Sequence, residues 1–322
     1  MKHFIDSRRP FPWVKQGRVF EPSGEFTHGS HPCAVHWQGN TFVVAFTRRD
    51  AKQRSHIFLC RAEVSDGSMR LIGEPKLALS PGEPGWFDCD GCISVCIVEH
   101  GGRSYLYYVG WQNLPDTLWL CDTGRAVLDL DALTLTREFK GPVLGRDKDN
   151  PLFAAATAFH VEGDHWQTWY NAGLRWEKTA TGWKHYYGLH YAESSDGVHW
   201  KCHPGLAMPF KDEHEYAFGR PSVIRVDGTY FMWFAHRASA TIDTYRIGFA
   251  SSRDGRSWER NDAIAGIDVA ASDTAWDSQM VCYPYVFAHK GHLYMLYNGN
   301  HYGQTGFGLA TIAPNDLLET QP

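Results

Sequence analysis

Apolar and polar positions alternate in short runs along this chain, and one arrangement of these runs returns about every sixty residues. An extended apolar run leads to a turn at a glycine and then to a strand dense in aromatic residues. A fixed period built from hairpins is typical of an array of like units that bury one another's faces. The five copies are SHPCAVHWQGNTFVVAF (30–46), DGCISVCIVEHGGRSYLYYVGW (90–111), AAATAFHVEGDHWQTWYNAG (154–173), GRPSVIRVDGTYFMWFAHR (219–237) and CYPYVFAHKGHLYMLYNGN (282–300), with turn glycines Gly39, Gly102, Gly163, Gly228 and Gly291.

Three of the repeats show a clear second half, in which a strand ends in alanine and serine before an Asp-Gly turn. The turns are Asp66-Gly67, Asp196-Gly197 and Asp254-Gly255. Asp-Gly between two extended runs indicates a β-hairpin. Each repeat is therefore expected to contribute about four antiparallel strands, and helix signals are nearly absent.

Five such repeats predict an all-β fold, a single-domain five-bladed β-propeller with a four-stranded antiparallel sheet in each blade. The expected blades are 27–80, 85–145, 148–210, 213–265 and 274–313. The last blade lacks an outer strand, and the segment 10–20 is expected to supply it and close the ring. A β-sandwich is the competing architecture, but it does not explain five copies at one period.

Composition narrows the class of protein. The 322 residues carry a net charge of −5 without a basic stripe, so a nucleic-acid partner is not expected. The longest apolar run is too short to span a membrane, and the first residues lack the apolar region of a signal peptide. The eight cysteines lie mostly within strand patterns and indicate reduced, buried thiols in a cytoplasmic protein. The oligomeric state is left open.

In a propeller, the first strand of every blade lines the central channel, so the segments at its start converge at one mouth. These segments are THGSHP (27–32), GWFDCDGC (85–92), KDNPLFAAAT (148–157), DEHEYAFGRP (212–221) and AWDSQMVCYP (275–284). Four of them carry an acid or a histidine close to the strand, and this polar set differs from repeat to repeat while the apolar frame recurs. The contrast favours a site placed on a shared scaffold.

Several acids in these segments are candidates for acid–base chemistry. Glu215, shortly after Glu213 and before Arg220, could donate or accept a proton, or else belong to a solvated acidic loop. Asp88 and Asp90 would share one side of a strand, as a base or as acceptors for sugar hydroxyls, unless they only form a turn.

The fifth segment offers both an acid and an aromatic platform. Asp277 could be a base or a backbone cap, and Trp276 beside it could stack on a sugar ring. Gln279 and Tyr283 are expected on the channel strand.

Metal binding has weak support. His28 and His31 could hold a metal, bind a sugar or shuttle protons, and no further ligand is identifiable. Cys89, Cys92 and Cys96 have zinc-like spacing but overlap a strand pattern, so structural thiols are favoured. We therefore expect no metal and no cofactor.

The blade pattern over about residues 20–313 resembles the five-bladed propellers of glycoside hydrolases, especially families 43, 32 and 130. The resemblance is carried by TYFMWF, HLYMLYN, AESSDGVHW and ASSRDGRSW. One branch of this superfamily is similar in EYAFGRPSV and in WDSQMVCYPYVFAHKGHLYMLYNGNHYGQTGFGLA.

The resemblance implies a sugar-binding funnel in which two carboxylates flank a glycosidic bond. The sequence departs from the family patterns at important places. His31 stands before Pro32 where family 43 has a catalytic aspartate, Glu215 lies several residues early for the acid, and Gln279 replaces an acid of the branch pattern. The family 32 signatures are missing.

Three hypotheses follow. The first is an enzyme acting on a glycosidic bond of a carbohydrate or glycoconjugate, with Glu215 as acid and Asp90 or Asp277 as base. Substrate-positioning residues would be His28, His31, Asp88, Arg220, Trp276, Gln279 and Tyr283. The second is a propeller that binds sugar without cleaving it, and the third is a lyase or transferase acting on a sugar-like metabolite.

Overall fold

The structure, a computed structural model, describes residues 9–115, 118–180, 182–239 and 242–314. It is almost entirely β, as predicted. The helical elements in these residues are a 3-10 turn at Asp262–Ile264 and a four-residue segment at Asn300–Gly303, here α1. The strands are β1 (Val14–Phe20), β2 (Thr27–Gln38), β3 (Thr41–Arg49), β4 (Ser55–Ser65), β5 (Ser68–Leu79), β6 (Gly91–His100), β7 (Arg103–Asn113), β8 (Trp119–Asp129), β9 (Thr134–Arg137), β10 (Ala154–Glu162), β11 (His165–Thr179), β12 (Gly182–Ser194), β13 (Lys201–Cys202), β14 (Ala217–Val226), β15 (Thr229–Arg237), β16 (Arg246–Ser252), β17 (Glu259–Arg260), β18 (Cys282–His289), β19 (His292–Asn298) and β20 (Phe307–Ile312).

The strands pair in consecutive antiparallel groups of four, which we number as units. Units one to four are β2–β5, β6–β9, β10–β13 and β14–β17, and unit five is β18–β20 with β1. Single parallel pairs, Ser55 with Gly91, Asp122 with Ala154 and Tyr187 with Ala217, join the third strand of one unit to the first strand of the next. Unit five is a separate sheet in its hydrogen bonding.

The N-terminal segment supplies the outer strand of unit five. Strand β1 runs antiparallel to β20, with Val14 opposite Thr311 and Phe20 opposite Phe307. A second link ties it down, because Lys15 Nζ lies 2.7 Å from Asp277 Oδ2. The predicted pairing of this segment with the last repeat is therefore observed.

The structure confirms the predicted hairpin turns, which are of two lengths. Asp227 and Gly228 both have positive φ (48° and 81°), as a two-residue type I′ turn requires, and Asp66 and Gly67 do the same. The hairpins predicted at Asp196-Gly197 and Asp254-Gly255 are also present, since β12 pairs antiparallel with β13 and β16 with β17, but their connections are longer than two residues. There the strands are separated by loops in which the aspartate accepts hydrogen bonds from the backbone NH groups two and three residues ahead.

The core lies between the units. Each large apolar cluster of the described residues joins two neighbouring units, and one of them joins unit five to unit one. Large aromatic rings fill these layers, each burying roughly 150–250 Å². Fully buried examples are Trp166, Trp169, Trp233, Tyr107, Tyr294 and Phe46.

A repeated hydrogen bond also links the units. An aromatic side chain of one unit's second strand bonds the backbone of the Asp-Gly turn in a neighbouring unit. Tyr107 donates to Gly197 O at 2.7 Å, and Trp169 donates to Gly255 O at 2.7 Å. Tyr294 in unit five accepts from the NH of Gly67 in unit one at 3.2 Å. No helix in the described residues is long and apolar enough to span a membrane.

Candidate functional site

Every first strand contains an irregularity near its start. A shift of the antiparallel register lies between Ser30 and Cys33, Ser94 and Cys96, Ala156 and Ala158, Gly219 and Ser222, and Cys282 and Tyr285, and β2 has two further shifts. Prolines occupy three of the shifts, at Pro32, Pro221 and Pro284. Proline cannot donate to the ladder and is tolerated at a bulge. Bulges redirect side chains and are common beside active sites.

The redirected residues line one cavity of about 350 Å³. Each first strand contributes the residue at its shift: His31, Val95, Thr157, Arg220 and Tyr283. The ends of second strands and the beginnings of third strands complete the wall, because in an antiparallel meander these ends lie at the same edge. They contribute Arg49, Trp111, Trp119, Cys121, Asn171, His185, Tyr187, Arg237 and Tyr245, and Tyr302 of α1 joins them.

Three of the lining residues have left-handed backbone conformations. The φ angles are 52° for His31, 55° for Tyr283 and 60° for Tyr302. Non-glycine residues held in this region cost about 1–3 kcal/mol each and cluster at binding and active sites. The rings of His31 and Tyr283 stack with centroids 4.1 Å apart, so two such residues from units one and five form one aromatic surface.

The histidines of the site are neutral near pH 7. Burial lowers the pKa of His31 well below its ordinary value, and the charges of Arg220 and Arg49 lower it further. Burial and Arg237 lower the pKa of His185 to about 4. Burial and Arg49 likewise lower the pKa of His28 to about 4. These rings therefore serve as neutral hydrogen-bonding groups, and the positive charge of the cavity comes from arginine.

Arg220 binds the backbone of three first strands. Its guanidinium donates to Pro32 O and Val95 O at 2.7 Å each and to Tyr283 O at 3.2 Å. The side chain is 2% exposed, and its Nε has no hydrogen-bond partner among the described residues. The predicted role of Arg220 in binding stays a prediction, but its place on the cavity wall and its structural contacts are clear.

Tyrosines occupy the side of the cavity formed by units three to five. The hydroxyls of Tyr187 and Tyr245 hydrogen-bond each other, and the hydroxyl of Tyr302 accepts from Arg237 at 3.1 Å. Burial raises the pKa of Tyr283 and of Tyr245 well above the ordinary value. These phenols stay protonated near neutral pH and can donate to a polar ligand.

Two of the predicted acids hold the scaffold together. Asp88 is fully buried and pairs with Arg137 at 2.7 Å, and it also accepts from Tyr108 at 3.2 Å. Asp277 is 3% exposed and accepts from Tyr297 at 3.0 Å as well as from Lys15. In both units an acid before the first strand binds a tyrosine of the second strand, and neither acid lines the cavity.

Glu215 lies in a buried ionic cluster outside the cavity. Both of its oxygens accept from Arg260 at 2.7 Å, and Oε1 lies 3.1 Å from His236 Nδ1. Burial acts to raise the pKa of Glu215, but the hydrogen bonds from Arg260 and His236 outweigh it and bring the pKa to about 2. A carboxyl with this pKa is ionised near neutral pH. The acid role predicted for Glu215 stays a prediction, and the cluster favours a structural role.

Asp90 keeps the most accessible position of the predicted catalytic set. It is partly exposed, its backbone NH donates to Trp111 O at 3.0 Å, and Oδ2 accepts from the NH of Asn113 at 2.8 Å. Oδ1 accepts no hydrogen bond from the described residues. Asp88 and Asp90 precede β6 in turns, so the expectation that they share one side of a strand is wrong.

The remaining predicted binding residues are divided. His31 and Tyr283 line the cavity, whereas His28 is buried beside its neighbour Thr27, with Nδ1 2.9 Å from Oγ1. Trp276 packs on Tyr297 within unit five, with the ring centroids 5.3 Å apart. Gln279 is exposed and precedes β18, so its expected place on the channel strand is wrong.

No group of three His, Cys, Asp or Glu side chains in the described ranges is arranged to hold a metal ion. All eight cysteines are free, and six are buried. Burial raises the pKa of Cys92 well above its ordinary value, as expected of a structural thiol.

Sequence reasoning missed the part of the site outside the first strands. Arg49 and Arg237 are the last residues of β3 and β15, and Trp119 is the first residue of β8. The signal was present, since FTRR (46–49) and FAHR (234–237) close the second strands of two repeats with arginine. Pairing these ends with the starts of the first strands would have placed them at the same edge.

Comparison with known proteins gives a family at the level of sequence. The chain is 34% identical over 304 residues to Uncharacterized protein Rv1502 of Mycobacterium tuberculosis strain H37Rv and to Uncharacterized protein MT1551 of strain CDC 1551. Each alignment covers 93% of this chain and 99% of the relative. The protein belongs to their family. No established family model matches its sequence.

Solved structures give the fold. BT0996, solved as a complex with RGII, superposes with a TM-score of 0.74 at 19% identity, covering 96% of this protein and 93% of that one. A glycosyl hydrolase from Bacteroides ovatus gives 0.71 at 13% identity over 98% of both proteins. A structure from the GH130 family of mannoside phosphorylases, which contains glycoside hydrolases that target beta-1,2 mannosidic linkages in Candida mannan, gives 0.70 at 15% identity over 98% and 97%. The protein therefore has the propeller-type fold of these glycoside hydrolases, as the resemblance predicted.

Proposed function

We propose that this protein binds a sugar unit in the central cavity and acts on a glycosidic bond beside it. The observation that carries the proposal is the cavity itself. Bulged first strands of all the units meet there, and its wall combines aromatic rings with hydrogen-bonding side chains. Its volume is at the lower end of the roughly 300–1,000 Å³ typical of small-molecule sites. The fold, shared with glycoside hydrolases, supports a carbohydrate ligand.

We further propose that the units form a five-bladed ring, as the repeat predicts. The packing of unit five on unit one and the bond between Tyr294 and Gly67 support closure by side-chain packing. The two sheets are not joined by strand pairing. A propeller of this kind needs no such pairing, because its blades pack face to face. The single-domain organisation and the cytoplasmic location stay predictions.

The chemistry would take place at the edge of the cavity. A neighbouring depression shares His185 and Arg237 with it and includes the carboxylates of Glu213 and Asp243. Asp243 Oδ1 lies 3.6 Å from Arg237 Nε, and Asp90 adjoins Trp111 on the wall. A sugar in the cavity whose remaining units leave through the depression would place the bond near these acids. We propose Asp90 and Asp243 as the pair tested first.

The experiment is turnover on a panel of aryl glycosides and oligosaccharides, with chromatographic detection of product. General acid–base catalysis contributes about 10²–10⁴-fold, so Asp90→Asn or Asp243→Asn should lower kcat/KM at least 100-fold. Arg70→Gln is the matched surface control, since Glu63 is the only ion-pair partner of Arg70 among the described residues and the Arg70 side chain is 72% exposed. Full turnover in both aspartate variants would refute the assignment.

A non-catalytic sugar-binding protein is the second candidate. One observation favours it: none of the described residues that line the cavity is an aspartate or glutamate. A glycan that binds and is recovered intact after long incubation with the purified protein would support this candidate over the enzyme. A lyase or transferase acting in the same cavity would instead release an unsaturated or transferred product.

A further inference from the structure

The cavity has an imbalance of charge that the proposed function does not explain. Arg49, Arg220 and Arg237 all line it, and no described lining residue carries a negative charge near neutral pH. Buried charges are normally paired or neutralised, because removing a charge from water is costly. A wall with three arginines and no acid is therefore complementary to a negatively charged ligand.

Arg49 is the arginine that the fold leaves available. It is half-buried at the end of β3, and its guanidinium makes no ion pair or hydrogen bond with the described residues. Its guanidinium nitrogens are accessible, and Arg49 lines the cavity. An arginine placed in this way can receive a carboxylate or phosphate through two parallel hydrogen bonds.

Arg237 completes the cationic wall from unit four. Its Nη1 donates to the hydroxyl of Tyr302, and its only carboxylate partner among the described residues is Asp243, which is 79% exposed and 3.6 Å away. An exposed ion pair has a small interaction free energy, so Asp243 leaves much of the positive charge of Arg237 uncompensated. Arg220 adds a third charge, which binds backbone carbonyls.

The other polar groups of the wall are neutral. His31 and His185 are uncharged near pH 7. The hydroxyls of Tyr245 and Tyr283 stay protonated, because burial raises the pKa of each well above its ordinary value. Trp111 Nε1 is a buried donor without a partner among the described residues. The wall thus presents more donors than acceptors, which again suits a ligand rich in acceptor oxygens.

We infer that the cavity takes a sugar unit bearing an anionic substituent, either a carboxylate or a phosphate, with Arg49 as its direct partner. The sugar part of this inference rests on the proposed function, whereas the anionic part rests on the arginines alone. Arg49 makes no ion pair in the described structure, so its replacement removes none.

The test uses pairs of ligands that differ only in charge. Binding to the protein is followed by tryptophan fluorescence, since Trp111 and Trp119 line the cavity. The pairs are methyl β-D-glucuronide with methyl β-D-glucoside, the corresponding galacto pair, and glucose 6-phosphate with glucose. We expect a charged member to bind at least 10-fold more tightly than its neutral match, and the preferred pair separates carboxylate from phosphate.

Variants assign the preference to the cavity. Arg49→Gln should abolish the preference for the charged member, Arg49→Lys should retain part of it, and Arg70→Gln should leave it unchanged. The preference should also weaken between 50 mM and 500 mM salt, because ions screen the attraction. A preference that survives Arg49→Gln would overturn the inference.

The two proposals fail in different ways. If no charged sugar binds more tightly than its neutral match, the anionic inference is overturned and the sugar site stands. If inorganic phosphate or acetate binds in an Arg49-dependent manner while every sugar fails to compete, the proposed sugar function is overturned and the anion site stands.

Discussion

At the scale of single residues, charge type separates scaffold from site. The acids next to the first strands look like catalytic candidates in sequence, yet Asp88, Asp277 and Glu215 each bind a cation of the frame. The cavity instead holds Arg220 and Arg237, whose hydrogen bonds go to carbonyls and a phenol, and the unpaired Arg49. The sequence revealed which acids are placed near the strand starts, but not which way each side chain turns.

Glu215 gives the first prediction. Because its folded pKa of about 2 lies below the ordinary value of 4.5, it stabilises the fold above pH 4.5 and loses this effect as the pH falls toward 2. The shift corresponds to about 3 kcal/mol of unfolding free energy. Urea titrations between pH 7 and pH 2.5 should show a smaller acid loss in Glu215→Gln than in the wild type.

The same variant tests the catalytic role first predicted for Glu215. We expect the folded Glu215→Gln protein to keep its turnover on any substrate found, and Asp277→Asn to behave likewise. Loss of turnover in a variant that circular dichroism shows to be folded would restore the original assignment.

Arg220 gives the second prediction. Arg220→Met should lower the unfolding free energy by about 3 kcal/mol, since three carbonyls lose a donor at about 1 kcal/mol each. Arg225→Gln is the matched control on the same strand. Its exposed ion pair with Glu162 should contribute less than about 1 kcal/mol to the unfolding free energy. A change below that value in Arg220→Met would show that Arg220 does not hold the strands together.

At the scale of elements, the hairpin and the bulge play different parts. Turn chemistry was readable from sequence, because glycine and Asp-Gly mark positions that need positive φ. The bulges were not readable, since a register shift depends on how two strands pair. His31-Pro32, Arg220-Pro221 and Tyr283-Pro284 carried a partial signal, as proline marks a break in the ladder.

The third prediction concerns the turn of unit four. Gly228 has φ of 81° and open space around its Cα, so alanine there is strained only by its backbone. Gly228→Ala should cost about 1–2 kcal/mol. Gly141, which also has open space but lacks a positive φ, is the matched control and should change stability by less than about 1 kcal/mol when replaced by alanine. Equal effects in thermal unfolding would contradict this reading of the turn.

At the scale of the whole molecule, packing holds the units together, because strand pairing between units one to four is limited to single parallel pairs. The period of the repeat predicted like units, and the strands and their pairing agree with it. The cavity wall could be foreseen only for the first strands, because Arg49, Arg237 and Tyr302 reach it through the edge geometry of other elements. The relatives are uncharacterised proteins, so the proposed function depends on the cavity.

The fourth prediction tests how unit five is held. Removing residues 1–20 deletes β1, exposes the edge of β20 and leaves Asp277 buried without Lys15. Loss of one partner of a buried pair costs about 3–5 kcal/mol, so the melting temperature should fall by well over 5 °C. Removing residues 1–8 alone is the control. An unchanged melting temperature after the longer deletion would mean that β1 is dispensable.

The bulges also bear on how such a protein can acquire new ligands. At each shift the ladder is already interrupted, so a different side chain there leaves the register of its neighbours untouched. His31, Val95, Thr157, Arg220 and Tyr283 stand at these shifts, one from each unit. Arg220 joins three strands through its guanidinium, but the other four residues can be replaced without loss of such a link. Substitutions at these positions can change which ligand is bound while the strand pairing of the units stays the same.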